Sequence, residues 1–188
     1  MTDLRNLLER IVPALQRAGV PFMIAGSFAS TAHGLPRATQ DLDIVIDPTG
    51  KSLAALLDLL DLESYYVDAD VARDAFRSHG MFNVIDHATG WKIDFIFRKD
   101  RAFSEQEFAR RRSMTLLGVE VSMASAEDTI VAKLEWSKSG GGSERQRRDV
   151  AGMIATVGDD LDYTYIERWL NELDLNDEWL LARQTKVS

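Results

Sequence analysis

The segment Asp41-Leu42-Asp43-Ile44-Val45-Ile46-Asp47 sets an apolar residue at every second position, a period that fits a β-strand with two unlike faces and does not fit a helix. Leu42, Ile44 and Ile46 form the face that seeks a core, and Asp41 and Asp43 share the other. Their Cα atoms lie roughly 6.5 to 7 Å apart by the strand rise, so the two like charges repel unless a cation lies between them. Paired carboxylates of this kind suit a hard cation such as Mg²⁺ when phosphates supply further ligands.

A second strand-like run, Trp91-Lys92-Ile93-Asp94-Phe95-Ile96-Phe97, has the same parity. Trp91, Ile93, Phe95 and Phe97 take one face, and Lys92, Asp94 and Ile96 the other. A carboxylate in so apolar a strand costs several kcal/mol unless it is paired or metal-bound. A role for Asp94 as a third metal ligand would account for it. Upstream, Pro21 to Ala25 reads as a strand that Gly26-Ser27 cuts off before the helix-type segment FASTAH. Strand, tight turn and helix in that order make an anion site, because the first N–H groups of a helix are unpaired and its dipole is positive there.

The remaining segments fill in an α+β chain. An amphipathic helix carries Leu4, Leu7, Leu8, Ile11, Val12 and Leu15, with Thr2 or Asp3 as cap and Gly19 as stop. Helices are expected over 52–60 and 69–77, a strand between Glu63 and Val67, and a hairpin pairing 81–86 with 91–97 across His-Ala-Thr-Gly. A helix from Ser104 to Arg110 with Ser104 as its cap precedes a second hairpin turned at Gly118. From Ser125 the pattern becomes helical. Ser125 and Asp128 form a near capping box, and Glu144 to Val157 and Tyr163 to Leu173 follow. The expected organisation is a core over 1–123 and a helical segment over 124–188 packed on it.

Composition limits the partners. The chain has 188 residues, 22 Lys and Arg against 30 Asp and Glu, a net charge of −8 and no cysteine. Thiol nucleophiles, disulfides and cysteine-held metals are thereby excluded. An acidic balance opposes general binding of nucleic acid or anionic membrane, so a polyanion needs a local basic patch or a metal. Without a long apolar run or signal-peptide core, the sequence reads as cytoplasmic with no membrane partner.

Taken as an ordered set, Gly26-Ser27, then Asp41-Leu42-Asp43 on a strand, then Asp94 on a later strand resembles the signature of the nucleotidyltransferase superfamily that includes DNA polymerase beta. The stretch from Arg37 to Ile44 most resembles the minimal bacterial branch of abortive-infection and type IV toxin–antitoxin nucleotidyltransferases. Ala132-Lys133-Leu134 and Arg147-Arg148-Asp149-Val150 are similar to that branch's helical half. The resemblance covers about 20–97 and, more loosely, 124–155.

The resemblance implies a mixed β-sheet with flanking helices and a helical C-terminal segment. It implies two Mg²⁺ ions on Asp41 and Asp43, with Asp94 joining near the attacking hydroxyl. Gly26 and Ser27 would cradle the β- and γ-phosphates of a nucleoside triphosphate such as ATP, Lys133 would neutralise it, and Arg37 and Thr39 would contact phosphate or orient the acceptor. Asp149 would be accessory, assisting the base or bracing the basic residues. The acceptor hydroxyl could belong to RNA, a protein or a small molecule, and the toxin branch implies a cognate antitoxin. Eight acids against three bases from Gly158 onward disfavour RNA. The alternatives are a non-catalytic nucleotide- or partner-binding module of the same fold, and an antibiotic-type small-molecule nucleotidyltransferase. Other motifs carry less. Gly50-Lys51-Ser52 lacks the partner glycine of a phosphate loop, Val45 standing in its place, and reads as a turn opening a helix. His33, His79 and His87 have no metal-ligand spacing, and Trp136, Trp169 and Trp179 are expected in the core.

Overall fold

The computed structural model describes residues 2–36 and 38–186. In chain order the elements are α1 Thr2–Ala18, β1 Phe22–Ile24, α2 Gly26–His33, β2 Asp41–Ile46, α3 Gly50–Leu59, β3 Tyr65–Val67, α4 Ala69–Ser78, β4 Met81–Asp86, β5 Lys92–Phe97, α5 Ala102–Ala109, β6 Arg112–Leu116, β7 Val119–Met123, α6 Ala126–Ser139, α7 Glu144–Val157, α8 Tyr163–Glu172 and α9 Asn176–Gln184. The chain divides into two compact units, Met1–Ala25 with Thr39–Met123 and Gly26–Ala38 with Ala124–Ser188. Among the described residues no helix is long and apolar enough to cross a membrane.

The first unit holds a mixed seven-stranded sheet in the order β3-β4-β5-β2-β1-β7-β6. The pairs β2/β5 and β1/β7 are parallel and the others antiparallel. The parity expected from sequence holds. Leu42, Ile44 and Ile46 are fully buried, as are Ile93 and Phe95, whereas Asp41 and Asp43 lie on the less buried face. Phe82 stacks on Phe95 at 5.1 Å within this core. Helix α1 buries Leu4, Leu7, Leu8, Ile11, Val12 and Leu15, the apolar stripe of the sequence. It ends in a Schellman-type turn, with Val20 N donating to Leu15 O at 2.9 Å and Gly19 at φ +66°. The turn of the β6/β7 hairpin has positive φ at both Leu117 and Gly118, as a two-residue primed turn requires.

Thr49 caps α3, exchanging a reciprocal pair of hydrogen bonds with Ser52, which accounts for the Gly50-Lys51-Ser52 motif as a helix start. Helix α5 departs from expectation. It begins at Ala102, and Ser104, instead of capping it, lies inside the first turn and accepts from Arg101 Nε at 3.0 Å.

The second unit is helical, built on Ile130, Val131, Leu134, Val150, Met153, Ile166, Trp169, Leu170 and Trp179. Ser125 caps α6 by accepting from Asp128 N, and its hydroxyl donates to the Asp128 carboxylate at 2.6 Å. Asp128 is completely buried and also accepts from Tyr165 Oη, so the acid expected to cap a helix also ties α6 to α8. At Gly34 an added Cβ would lie 2.9 Å from both Met153 Cγ and Ser30 O, a close approach that only glycine allows. Trp136 differs from expectation. It is 58% exposed on α6, while Trp169 and Trp179 are buried.

Candidate active site

Three carboxylates of the first unit come from two neighbouring strands. Because β2 and β5 are parallel and in register, Asp43 pairs with Asp94 and Asp41 with Lys92, and register partners put their side chains on one face of the sheet about 4.8 Å apart at Cα. Asp94 is 7% exposed, while the Asp41 side chain at the strand's start is half exposed. Thr39 fixes that start: Asp41 N donates to Thr39 Oγ1 and Thr39 Oγ1 donates to Asp41 O, both at 3.3 Å. The Asp43 carbonyl accepts from Ala25 N at 3.0 Å, holding the end of β1 against β2 one residue before Gly26.

Lys92 organises the cluster. Its Nζ lies 3.2 Å from Asp41 Oδ1 and 3.0 Å from Asp94 Oδ2, and Asp94 Oδ1 accepts from Asn83 Nδ2. The hydrogen bond to Asp94 holds the Lys92 ammonium above its ordinary pKa of 10.5, against the opposing effect of partial burial, and Asp41 adds to the rise. Sequence reasoning gave Lys92 and Asn83 no role. The signal for Lys92 was present, since residues two apart on a strand share a face and a Lys-x-Asp pair is an ion pair in waiting.

Among the described residues no three acidic or imidazole side chains converge closely enough to hold a metal in this conformation. Asp41 and Asp94 nevertheless converge on a cation, the Lys92 ammonium, and Asp43 is registered beside Asp94. The donors of Asp41, Asp43 and Asp94 are all carboxylate oxygens, the ligand type of hard cations such as Mg²⁺.

Gly26, Ser27, Lys133 and Asp149 lie in the second unit. Gly26, at φ +57°, and Ser27 open α2, and the Ser27 carbonyl accepts from Ser30 Oγ at 3.0 Å. His33, in the last turn of α2, contacts Ala124 O through Nε2 at 2.8 Å. Lys133 is 4% exposed, and its ammonium donates to Asp149 Oδ2 at 2.8 Å and Gln146 Oε1 at 2.9 Å. The structure thus joins Lys133 to Asp149 across α6 and α7, with Gln146 as a partner that the sequence reading did not single out. Arg37 lies outside the described residues.

No protein-family model matches the chain, and no curated protein is significantly similar to it in sequence. Solved structures do share its fold. The antibiotic-resistance factor ANT(2'')-Ia is similar over 97% of this chain and 97% of its own, with a TM-score of 0.60 at 16% identity. The lincosamide antibiotic adenylyltransferase LnuA, with lincomycin bound, is similar over 78% of this chain and 93% of its own, with a TM-score of 0.52 at 14% identity. An antigenic nucleotidyltransferase-like protein from Paracoccidioides brasiliensis is similar over 95% and 92%, with a TM-score of 0.50 at 15% identity. The chain therefore has the α+β fold of the nucleotidyltransferase superfamily.

Proposed function

We propose that this chain is a metal-dependent nucleotidyltransferase that moves a nucleoside monophosphate, with ATP as donor, onto a hydroxyl of a small molecule. The observation that carries this reading is the register of β2 and β5, which sets Asp43 beside Asp94 and lets Asp41 and Asp94 converge on one positive charge. Asp41, Asp43 and Asp94 would hold two Mg²⁺ ions, which when bound neutralise charge on the attacking and leaving oxygens of an in-line displacement. Asp94 takes the proton of the acceptor hydroxyl as its oxygen bonds to the α-phosphorus. The bond from that phosphorus to the bridging oxygen breaks, and pyrophosphate leaves.

The other residues bind and orient. Gly26 and Ser27 open a helix, where first-turn N–H groups favour phosphate, and Lys133 and Arg37 neutralise the triphosphate. Thr39 fixes the strand start that carries Asp41, and Asp149 braces Lys133. Two features support a small-molecule acceptor. The chain shares its fold with an antibiotic-resistance factor and a lincosamide antibiotic adenylyltransferase, and the acids of its last helices repel a polyanion. The resemblance of the segment from Arg37 to Ile44 to toxin–antitoxin nucleotidyltransferases supports a second reading, a toxin that modifies RNA or protein under control of an antitoxin.

Incubation with each of four α-labelled nucleoside triphosphates and Mg²⁺, against a small-molecule extract, total RNA and total protein, separates these readings. Label from ATP in the small-molecule fraction is the expected result. Label in RNA or protein, with growth arrest on expression that Asp43→Ala relieves, transfers the case to the toxin. Nucleotide binding without transfer to any fraction makes the chain a non-catalytic binding module.

A further inference from the structure

An acid cluster on one face of a sheet should open when no metal is present, because the like charges on Asp41, Asp43 and Asp94 repel. The structure holds a built-in alternative. Lys92 is the register partner of Asp41 on β5 and lies two residues from Asp94 on the same face, so one ammonium reaches both carboxylates, at 3.2 and 3.0 Å. It satisfies Asp94 Oδ2 while Asn83 satisfies Oδ1. Both carboxylate oxygens of Asp94 and one of Asp41 are thereby already engaged.

We infer that Lys92 is a tethered counter-cation that keeps Asp41 and Asp94 in place in the metal-free protein and competes with the divalent metal for them, so that metal loading displaces its ammonium. The inference rests on the reading of the acids as metal ligands. It gives the protein an ordered resting state at low metal and sets the metal concentration at which the site fills. The side chain of Lys92 is 38% exposed and that of Asp94 10%, so the ammonium can leave for water while Asp94 stays in position.

Two measurements on the full chain test this. Mn²⁺ binding followed by the electron paramagnetic resonance of free Mn²⁺ should be about tenfold tighter in Lys92→Met, the size of two partly exposed ion pairs removed. Lys99→Met, an equal change of charge at a lysine beyond the end of β5, should stay within about twofold because exposed charges at a distance are screened. In the wild-type protein the Lys92 Nζ resonance should shift on saturation with Mg²⁺, a readout that does not depend on the variant folding. Equal or weaker Mn²⁺ binding by folded Lys92→Met, or a Lys92 resonance unmoved at Mg²⁺ saturation, overturns the inference and leaves the metal site standing. Absence of Mn²⁺ uptake in both proteins overturns the inference together with the functional reading it rests on.

Discussion

Asp43 on β2 and Asp94 on β5 are register partners in a parallel strand pair, with Asp94 almost completely buried. Fifty residues of sequence separate two carboxylates that the sheet makes neighbours. Their proximity costs folding energy unless the charges are compensated, and Lys92 and Asn83 compensate that of Asp94.

Under the proposed function, Asp43→Ala removes one of the carboxylates that would hold the metal. Transfer should fall by about a thousandfold or more, the loss typical when charge stabilisation is removed at a reacting centre. Urea unfolding should remain a single cooperative transition, so that the loss is one of transfer and not of fold. Pyrophosphate release and urea unfolding on the same preparation check both halves, and release at the wild-type rate would remove Asp43 from the site.

A second buried acid lies near the same strand ends, on the opposite face of the sheet. Asp86 is fully buried; its Oδ2 accepts from Thr89 N at 3.1 Å and from Thr89 Oγ1. Its Oδ1 has no aligned hydrogen bond, but Arg10 Nη2 stands 2.8 Å away, with its guanidinium 5.5 Å from the centre of the Tyr65 ring. Arg10→Met leaves that carboxylate without its counter-charge and should cost about 2 to 3 kcal/mol, somewhat below the usual loss for a buried pair because Arg10 is partly exposed. Urea unfolding measures it, and a loss below about 0.5 kcal/mol would show that water replaces the guanidinium.

The contrast between these two sites explains what the sequence made legible. The faces of β2 and β5 follow from alternation alone, a local property, and so did the stripe of α1 and the bounds of α7. Strand order did not. Nothing local in the sequence says that Asp41 faces Lys92 or that Arg10 on a surface helix reaches Asp86 in a hairpin, because those pairings are decided by which strands dock together. Helix α9 escaped for a different reason: Asn176-Asp177-Glu178 has the polarity of a loop, and Leu180 and Leu181 remain exposed in the folded chain. Trp136 misled because an aromatic at helical spacing reads as core, although its neighbours Leu134 and Ser137 take the buried positions.

Lys133 and Asp149 give a prediction of stability as well as of binding. Both side chains are almost completely buried and share a 2.8 Å ion pair, so removing one member takes a buried counter-charge from the other. Lys133→Met should cost about 3 to 5 kcal/mol. Adding Asp149→Leu should recover most of that cost, since replacing both partners by apolar groups removes the carboxylate that lost its ammonium. A double-mutant cycle by urea unfolding reads the coupling. Strictly additive losses would mean that the two groups do not depend on each other.

Lys138 and Asp174 link stability to pH. The Lys138 ammonium donates to the Asp174 carboxylate at 2.8 Å and to its carbonyl at 2.6 Å, and the side-chain hydrogen bond holds the Asp174 carboxyl below its ordinary 3.8. A depressed folded-state value means that the stabilisation is present above 3.8 and is lost as pH falls through the lower, folded value. Asp174→Asn removes the charge while keeping a residue that tolerates the left-handed backbone at φ +55°. The variant should therefore be less stable than the wild type at neutral pH, and the gap should close on acidification below 3.8 as the wild-type carboxyl protonates. The carbonyl bond to Lys138 persists in both proteins and does not contribute to the gap. Thermal unfolding of the pair from pH 7 to pH 3 checks the sign, and a gap that widens toward acid would show that the Lys138 contact does not lower the Asp174 pKa.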